Sequence, residues 1–199
     1  MPKRSASYMD ERRRAILDAA DTCLDRDGMG GISTTAICKE ARISMGALYT
    51  HFPAKDDIVF ALAERRAGER RTHYAFDTKP EMCRSILALF DLWIHRTDRL
   101  RGEFELLIAK SRDRELVRVM EHTETLSDLR KSLEKLVVSG ELPASLDTAA
   151  AAEANEASLI GAAFSVVIGR LGVDTARTVL LALLDSLSAE NGPMCKTQE

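Results

Sequence analysis

Eight basic residues gather around one short stretch of this chain: Lys3, Arg4 and Arg12 to Arg14 ahead of it, and Lys39, Arg42 and Lys55 within or just beyond it. Guanidinium and ammonium groups so placed can grip phosphate oxygens on either side of a nucleic-acid groove. For Arg12 to Arg14, ordinary solvated helix charge is an equally good reading. The stretch itself, Ser33 to Phe52, carries small or polar residues at Met45, Gly46, Thr50 and His51. A helix face built from such residues suits close approach to base edges.

Other combinations offer less chemistry. His95 follows Asp91 by one helical turn and could be oriented by it, His122 follows Glu121 directly, and His73 sits in a charged segment. None stands beside a nucleophile or a metal-ligand set, so an enzyme built on His95 or His122 is the weaker reading. The four cysteines, Cys23, Cys38, Cys83 and Cys195, are widely spaced and form no C-x-x-C pair. Neither a zinc site nor a disulfide framework is indicated, and no cofactor is expected. Cys23 and Cys38 read as small buried thiols, and Cys195 falls in a terminal tail.

The elements that must position the basic residues are legible from caps and periodicity. Ser33 and Ser44 are each placed to cap a helix, so two helices begin eleven residues apart with a tight turn between them. Ile37, Ala41 and Ile43 supply the apolar corner between that pair, and Leu48 and Phe52 read as core. A preceding helix is expected over Met9 to Asp27, with Ile16, Leu17, Ala20 and Leu24 as its stripe and Gly28 as its end. Gly30 and Gly31 read as a flexible link, with Met29 and Ile32 folding back onto the core. Pro53 stops the second motif helix, and Asp56 and Asp57 open the next, which runs through the charged segment Glu64 to Arg71.

Further helices are expected from Pro80 through Ile94, from Glu103 to Lys110, and from Leu116 to Leu136 with Gly140 as the stop. Two last ones span about Thr148 to Leu171 and Asp174 to Ala189. These two are apolar over more than one face, which calls for burial on several sides or against a second subunit. With 11 Gly, 5 Pro and no sustained strand-like alternation in 199 residues, the fold class is all-α.

The net charge of −3 argues against a protein that coats nucleic acid indiscriminately. Residues 1–75 carry 13 Lys or Arg against 11 Asp or Glu, and the remainder 15 against 20, so the positive excess lies with the helix pair. The N-terminus is polar, without a signal peptide. The longest apolar stretch, Ala157 to Ile168, is well short of the ~20 residues of a membrane span. A cytoplasmic protein without a membrane partner is expected.

In residues 12–60 the sequence resembles the TetR family of bacterial transcriptional regulators. The resemblance rests on Ile16, Leu17, Ala19, Ala20 and Gly28, on Ser33, Thr34, Ile37 and Ala41, and on Ser44, Gly46, Ala47, Leu48, Tyr49, His51, Phe52 and Lys55. It implies an N-terminal three-helix helix-turn-helix DNA-binding domain followed by a helical ligand-binding and dimerisation domain. It also implies a homodimer on a two-fold symmetric double-stranded operator, with the second motif helix in the major groove and Tyr49, His51 and Lys55 on phosphates. The chemistry of those three side chains agrees, since phenol, imidazole and ammonium all donate to phosphate oxygens. Four positions depart from the family pattern: Arg42 stands where Gly is common, Met45 where a basic or polar residue is common, Ala54 where a capping residue is common, and Ala36 where a charge is usual.

The expected DNA-binding set is Thr34, Thr35, Arg42, Ser44, Met45, Gly46, Ala47, Tyr49, Thr50, His51 and Lys55. A small-molecule effector is expected among Phe90, Trp93, Phe104, Met120 and Phe164, and a dimer interface at Leu159, Ala163, Val166, Leu180, Leu183 and Leu187. The domains are expected over 1–55 for DNA binding, 56–78 for a connecting helix, 79–190 for regulation and dimerisation, and 191–199 for a tail. The function so read is a homodimeric repressor released by its ligand. An activator, or a regulator that needs its ligand to bind DNA, is the alternative on the same fold.

Overall fold

The computed structural model describes residues 6–112 and 125–188. Within them the chain forms nine α-helices and no strand: α1 (Ala6–Asp27), α2 (Thr34–Ala41), α3 (Met45–His51), α4 (Lys55–Arg71), α5 (Lys79–His95), α6 (Thr97–Arg112), α7 (Thr125–Val138), α8 (Thr148–Val167) and α9 (Val173–Ser186). They divide into two compact units. The first holds residues 6–67 and 96–112, the second 68–95 and 125–188, so the division falls inside α4 and again between α5 and α6.

In the first unit, Ile16, Leu17, Ala20 and Leu24 of α1 are buried together with Ile37, Leu48, Phe52, Ile58, Leu62 and Leu106. Each of the Ile, Leu and Phe side chains contributes about 1.5–3 kcal/mol by leaving water. α1 ends where expected. Gly28 takes φ 70, and a Cβ there would collide with the Glu105 carboxylate, which accepts the backbone N–H of Met29. The segment expected as a flexible link is instead a tight 3-10 turn over Met29–Gly31. Gly31 presses so close to the Asp27 side chain and the Cys23 carbonyl that only hydrogen fits, while Ile32 is buried behind it. Gly28 and Gly31 therefore serve close packing here, while a Cβ at Gly30 would meet nothing within 4 Å.

α6 is longer than its apolar positions suggested, and it belongs to this first unit. Arg66 of α4, only 2 % exposed, explains how the unit is pinned. Its Nε donates to Asp21 at 2.7 Å, Nη1 donates to the Arg99 carbonyl at 3.1 Å, and Nη2 pairs with Asp25. The Glu103 carboxylate lies 3.7 Å from Nη1. Asp21 also accepts from Arg65 and Arg99, each at 2.9 Å. Burial pushes the Asp21 carboxyl up, but the Arg66, Arg99 and Arg65 guanidinium groups outweigh it and hold the group below its usual range. One ionic cluster thus ties α1, α4 and α6.

In the second unit, Met82, Ile86, Leu89 and Phe90 of α5 are buried along with Leu129, Leu133 and Leu136 of α7, Leu159 and Ala163 of α8, and Leu180 and Leu184 of α9. Tyr74 is fully buried, its hydroxyl bonded to Glu156 and its carbonyl accepting from Ser132 Oγ at 2.7 Å. Burial, reinforced by the Glu156 charge, pushes the phenol far up, so it stays a donor. The expected stretch from Leu116 to Thr123 lies outside the described residues. α7 closes at Gly140, with the Glu141 N–H on the Leu136 carbonyl at 2.9 Å. Asp147 caps α8 through the N–H groups of Ala149 and Ala150. α8 stops at Val167 rather than Leu171, because Gly169 at φ 72 turns the chain out of the helix.

Candidate nucleic-acid interface

The interface is built from two local caps and one corner. Ser33 Oγ accepts the Ala36 N–H at 3.1 Å and Ser44 Oγ accepts the Ala47 N–H at 3.2 Å, which fixes where α2 and α3 start. Between them Arg42 adopts the left-handed conformation at φ 54, and the Ile43 N–H reaches back to the Cys38 carbonyl at 3.0 Å. The turn thus keeps the shape a glycine would give it, with an arginine in place. Arg26 of α1 reaches Glu40 of α2 at 3.1 Å and braces the corner from outside.

α3 turns Leu48 into the core and presents Met45, Gly46, Tyr49 and Thr50 outward; Met45 is 39 % and Tyr49 47 % exposed. The Cys38 thiol lies 3.4 Å from the Met45 sulfur, so the thioether leans on α2 while the rest of the side chain faces water. A Cβ added to Gly46 would meet nothing within 4 Å. The Thr50 hydroxyl donates to the Gly46 carbonyl at 2.8 Å, leaving its oxygen lone pairs and methyl group for a ligand. Thr35, Arg42, Ser44 and Lys55 are exposed; Thr34, Ala47 and His51 are half-buried. The missing cap at Ala54 is supplied from the other side, since the Ala54 N–H donates to Asp57 at 2.8 Å.

The basic run Arg12 to Arg14 is three different residues in the structure. Arg13 is structural, with Nη1 on the His51 carbonyl at 3.1 Å and its guanidinium 4.1 Å from the Phe52 ring centre. Arg14 Nε turns back to the Asp10 carbonyl at 3.4 Å. Arg12 is held by Tyr8, Nε to hydroxyl at 3.1 Å. Tyr8 is a member of the site beyond the residues expected, and its spacing of one helical turn from Arg12 is the signal that points to it.

The expected effector residues are scattered. Phe90 and Trp93 are buried in the second unit, Phe164 of that unit is 45 % exposed, Phe104 belongs to the first unit, and Met120 lies outside the described residues. Asn155 was not anticipated. It is buried in α8 with Oδ1 lacking any hydrogen-bond partner among the described residues. Of the expected interface residues, Leu159, Ala163 and Leu180 are buried by their own unit, and Val166, Leu183 and Leu187 are half-buried. The large apolar side chains open to water on α8 and α9 include Phe164, Val179 and Leu181, with Ile168 just past the end of α8. His95 is not oriented by the Asp91 carboxylate: its Nδ1 meets the Asp91 carbonyl at 2.7 Å, and that carboxylate pairs with Arg177. His122 lies outside the described residues. Among the described residues no helix is long and apolar enough to cross a membrane.

Residues 16–62 match the model of the bacterial regulatory proteins of the tetR family. An HTH-type transcriptional regulator of Staphylococcus aureus (strain USA300) is 36 % identical over 64 residues, which cover 32 % of this chain and 35 % of that protein. The chain thus matches about a third of the length of such relatives. Over nearly the whole chain the likeness is structural. The Stenotrophomonas maltophilia protein SmeT, the repressor of the multidrug efflux pump SmeDEF, superposes with a TM-score of 0.70 at 21 % identity, covering 89 % of this chain and 91 % of SmeT. The Bacillus subtilis transcriptional regulator FadR, solved with stearoyl-CoA, gives 0.68 at 20 % identity over 90 % of this chain and 99 % of its own. A TetR transcription regulator from Haloarcula marismortui gives 0.75 at 14 % identity over 89 % and 98 %.

Proposed function

We propose that this chain, a TetR-family protein by its helix-turn-helix domain and its fold, is a homodimeric repressor released from a two-fold symmetric operator by a small-molecule effector. The observation that carries the reading is the outer face of α3. It is held between a side-chain cap and a buried Phe52, it bears no carboxylate, and its outward residues are those a major groove accommodates. Tyr49, His51 and Lys55 then hold phosphates, Gly46 admits close approach, and Thr50 and Met45 face the bases.

A dimer would cover the exposed apolar side chains Phe164, Ile168, Val179 and Leu181 of the α8–α9 region, with half-buried Val166, Leu183 and Leu187 beside them. Two copies of α3 about 34–36 Å apart meet successive major grooves. The effector is read into the second unit around Phe90 and Trp93, and the Asn155 carbonyl, buried in the same unit without a partner among the described residues, is offered as one polar anchor for a mostly apolar ligand. SmeT and FadR are precedents on this fold, one a repressor and the other captured with an acyl-CoA.

Release needs the effector to favour one arrangement of the chain. The route read for this coupling runs along the chain through α4, and from α5 into α6, toward the Arg66 cluster and the Glu105–Met29 bond at the end of α1. A coupling of about 1–3 kcal/mol alters DNA affinity about 5–150-fold. The test is site selection from a randomised duplex pool at near-physiological salt, using purified protein without effector. Enrichment of a two-fold symmetric site supports the reading, and a folded protein that enriches no site overturns it.

A further inference from the structure

A cleft of about 170 Å³ opens beside α3, walled by Tyr8 and Arg12 of α1, Arg42 and Ser44 of the turn, and Ala47 and His51 of α3. Two guanidinium groups from separate elements line it, and its wall contains no carboxylate. Neither Arg12 nor Arg42 makes an ion pair among the described residues, whereas Arg26, Arg65 and Arg66 of the same unit all do. Arg12 is also preorganised. Its Nε is engaged by the Tyr8 hydroxyl, and its guanidinium stands 5.3 Å from the Tyr8 ring centre, while its two Nη groups have no hydrogen-bond partner among the described residues and keep their paired donors for an anion. Arg42 is kept at a left-handed backbone position where side-chain-bearing residues are strained. Such strain, retained where a glycine would relieve it, marks a side chain with work at that place.

We infer that Arg12 and Arg42 form a two-arginine clamp for a single DNA backbone phosphate on the strand bordering the groove that α3 enters. This rests on the proposed DNA-binding function. It adds Tyr8 and Arg12 to the interface and gives Arg42 a defined target. A DNA phosphodiester is the occupant because Ser44, Ala47 and His51 of the reading segment share the cleft wall, so an anion seated there lies beside the outward face of α3 that meets the duplex. The contact positions the protein without reading sequence.

The test uses the full chain, the selected operator and an unrelated duplex, with binding followed by fluorescence anisotropy across a salt series. Arg12→Gln and Arg42→Asn keep polar side chains at exposed positions, and Asn tolerates the left-handed backbone, so thermal melts should match the parent. Each variant is expected to weaken both duplexes by a similar factor, about tenfold for each charge-assisted contact and so about a hundredfold for a dimer that loses two. The double variant should lose less than the product of the singles, and its log-affinity against log-salt slope should flatten by about 1.8, one phosphate's worth in each half of the dimer. A neutral methylphosphonate scanned through the operator should find one position per half-site that weakens the parent but not the double variant.

Unchanged slopes, or a flattening of about 3.6 with multiplicative losses, as two separate phosphates in each half-site would give, would overturn the clamp while the regulator reading stands. A parent that binds no duplex overturns both. Thermal stabilisation by inorganic phosphate that is lost in the double variant, with DNA binding unaffected, would assign the cleft to a free anion instead.

Discussion

Two small residues of α3 separate protein stability from DNA reading. Gly46 has open space around its Cα, so Gly46→Ala removes the helix cost of glycine and should stabilise the domain by up to about 1 kcal/mol. The same methyl should weaken operator binding, because the added volume meets the groove. Melts and anisotropy on one sample check both signs, and unchanged affinity would mean that the backbone at Gly46 stays clear of DNA. Thr50 tests base reading. Its hydroxyl is already committed to the Gly46 carbonyl, so Thr50→Ala removes only a methyl and an acceptor and leaves the helix intact. The expected result is altered preference among selected sites with phosphate-driven affinity retained; identical preferences would remove Thr50 from the base contacts.

At the level of elements, the Arg66 cluster decides whether α6 stays with α1 and α4. Arg66→Met keeps the volume of the stem but leaves Asp25 without the Arg66 cation, Asp21 with fewer partners and Glu103 without its Arg66 contact. A loss of about 3–5 kcal/mol in chemical denaturation is expected. A loss under about 1 kcal/mol would place the hold on α6 in Leu106 and Glu105 instead. The same cluster gives an acid limb. Because the Asp21 carboxyl is held below its usual value of 3.8, its stabilisation is complete above that value and is lost as pH falls through the lower, folded value. Melting temperature should therefore be flat from about pH 7 to 5 and fall below about pH 4. Asp21→Asn should lower stability at neutral pH and flatten that limb, and an unchanged limb would assign it to other carboxylates.

For the whole molecule, the exposed apolar side chains of α8 and α9 are where self-association is expected. Val179 is 51 % exposed, so Val179→Glu should cost a lone chain little. In a dimer built on that face it buries a charge. Light scattering is expected to show folded monomers with operator affinity greatly reduced; persistence of a dimer would move the interface elsewhere. Leu183 is a poorer probe, since it is half-buried and its replacement confounds folding with association.

The caps at Ser33 and Ser44, the stop at Gly28, the buried stripe of α1 and the burial of Leu48 and Phe52 were all legible in the sequence. Each is set by neighbours within one or two helical turns, and such local rules survive without knowledge of the rest of the chain. So were the exposed candidates of α3, because alternation of core and surface along one short helix follows from its period. Only the tertiary structure decided which apolar faces are already spent. It buried Leu159, Ala163 and Leu180 inside the chain and left Val179 and Leu181 exposed, a choice that periodicity cannot make for a helix apolar nearly all round. It placed α6 with α1, set Asp21 opposite Arg66 and brought Arg12 to Arg42. Those pairings depend on complementary charge and shape between segments far apart in the chain, and no spacing in the sequence encodes them.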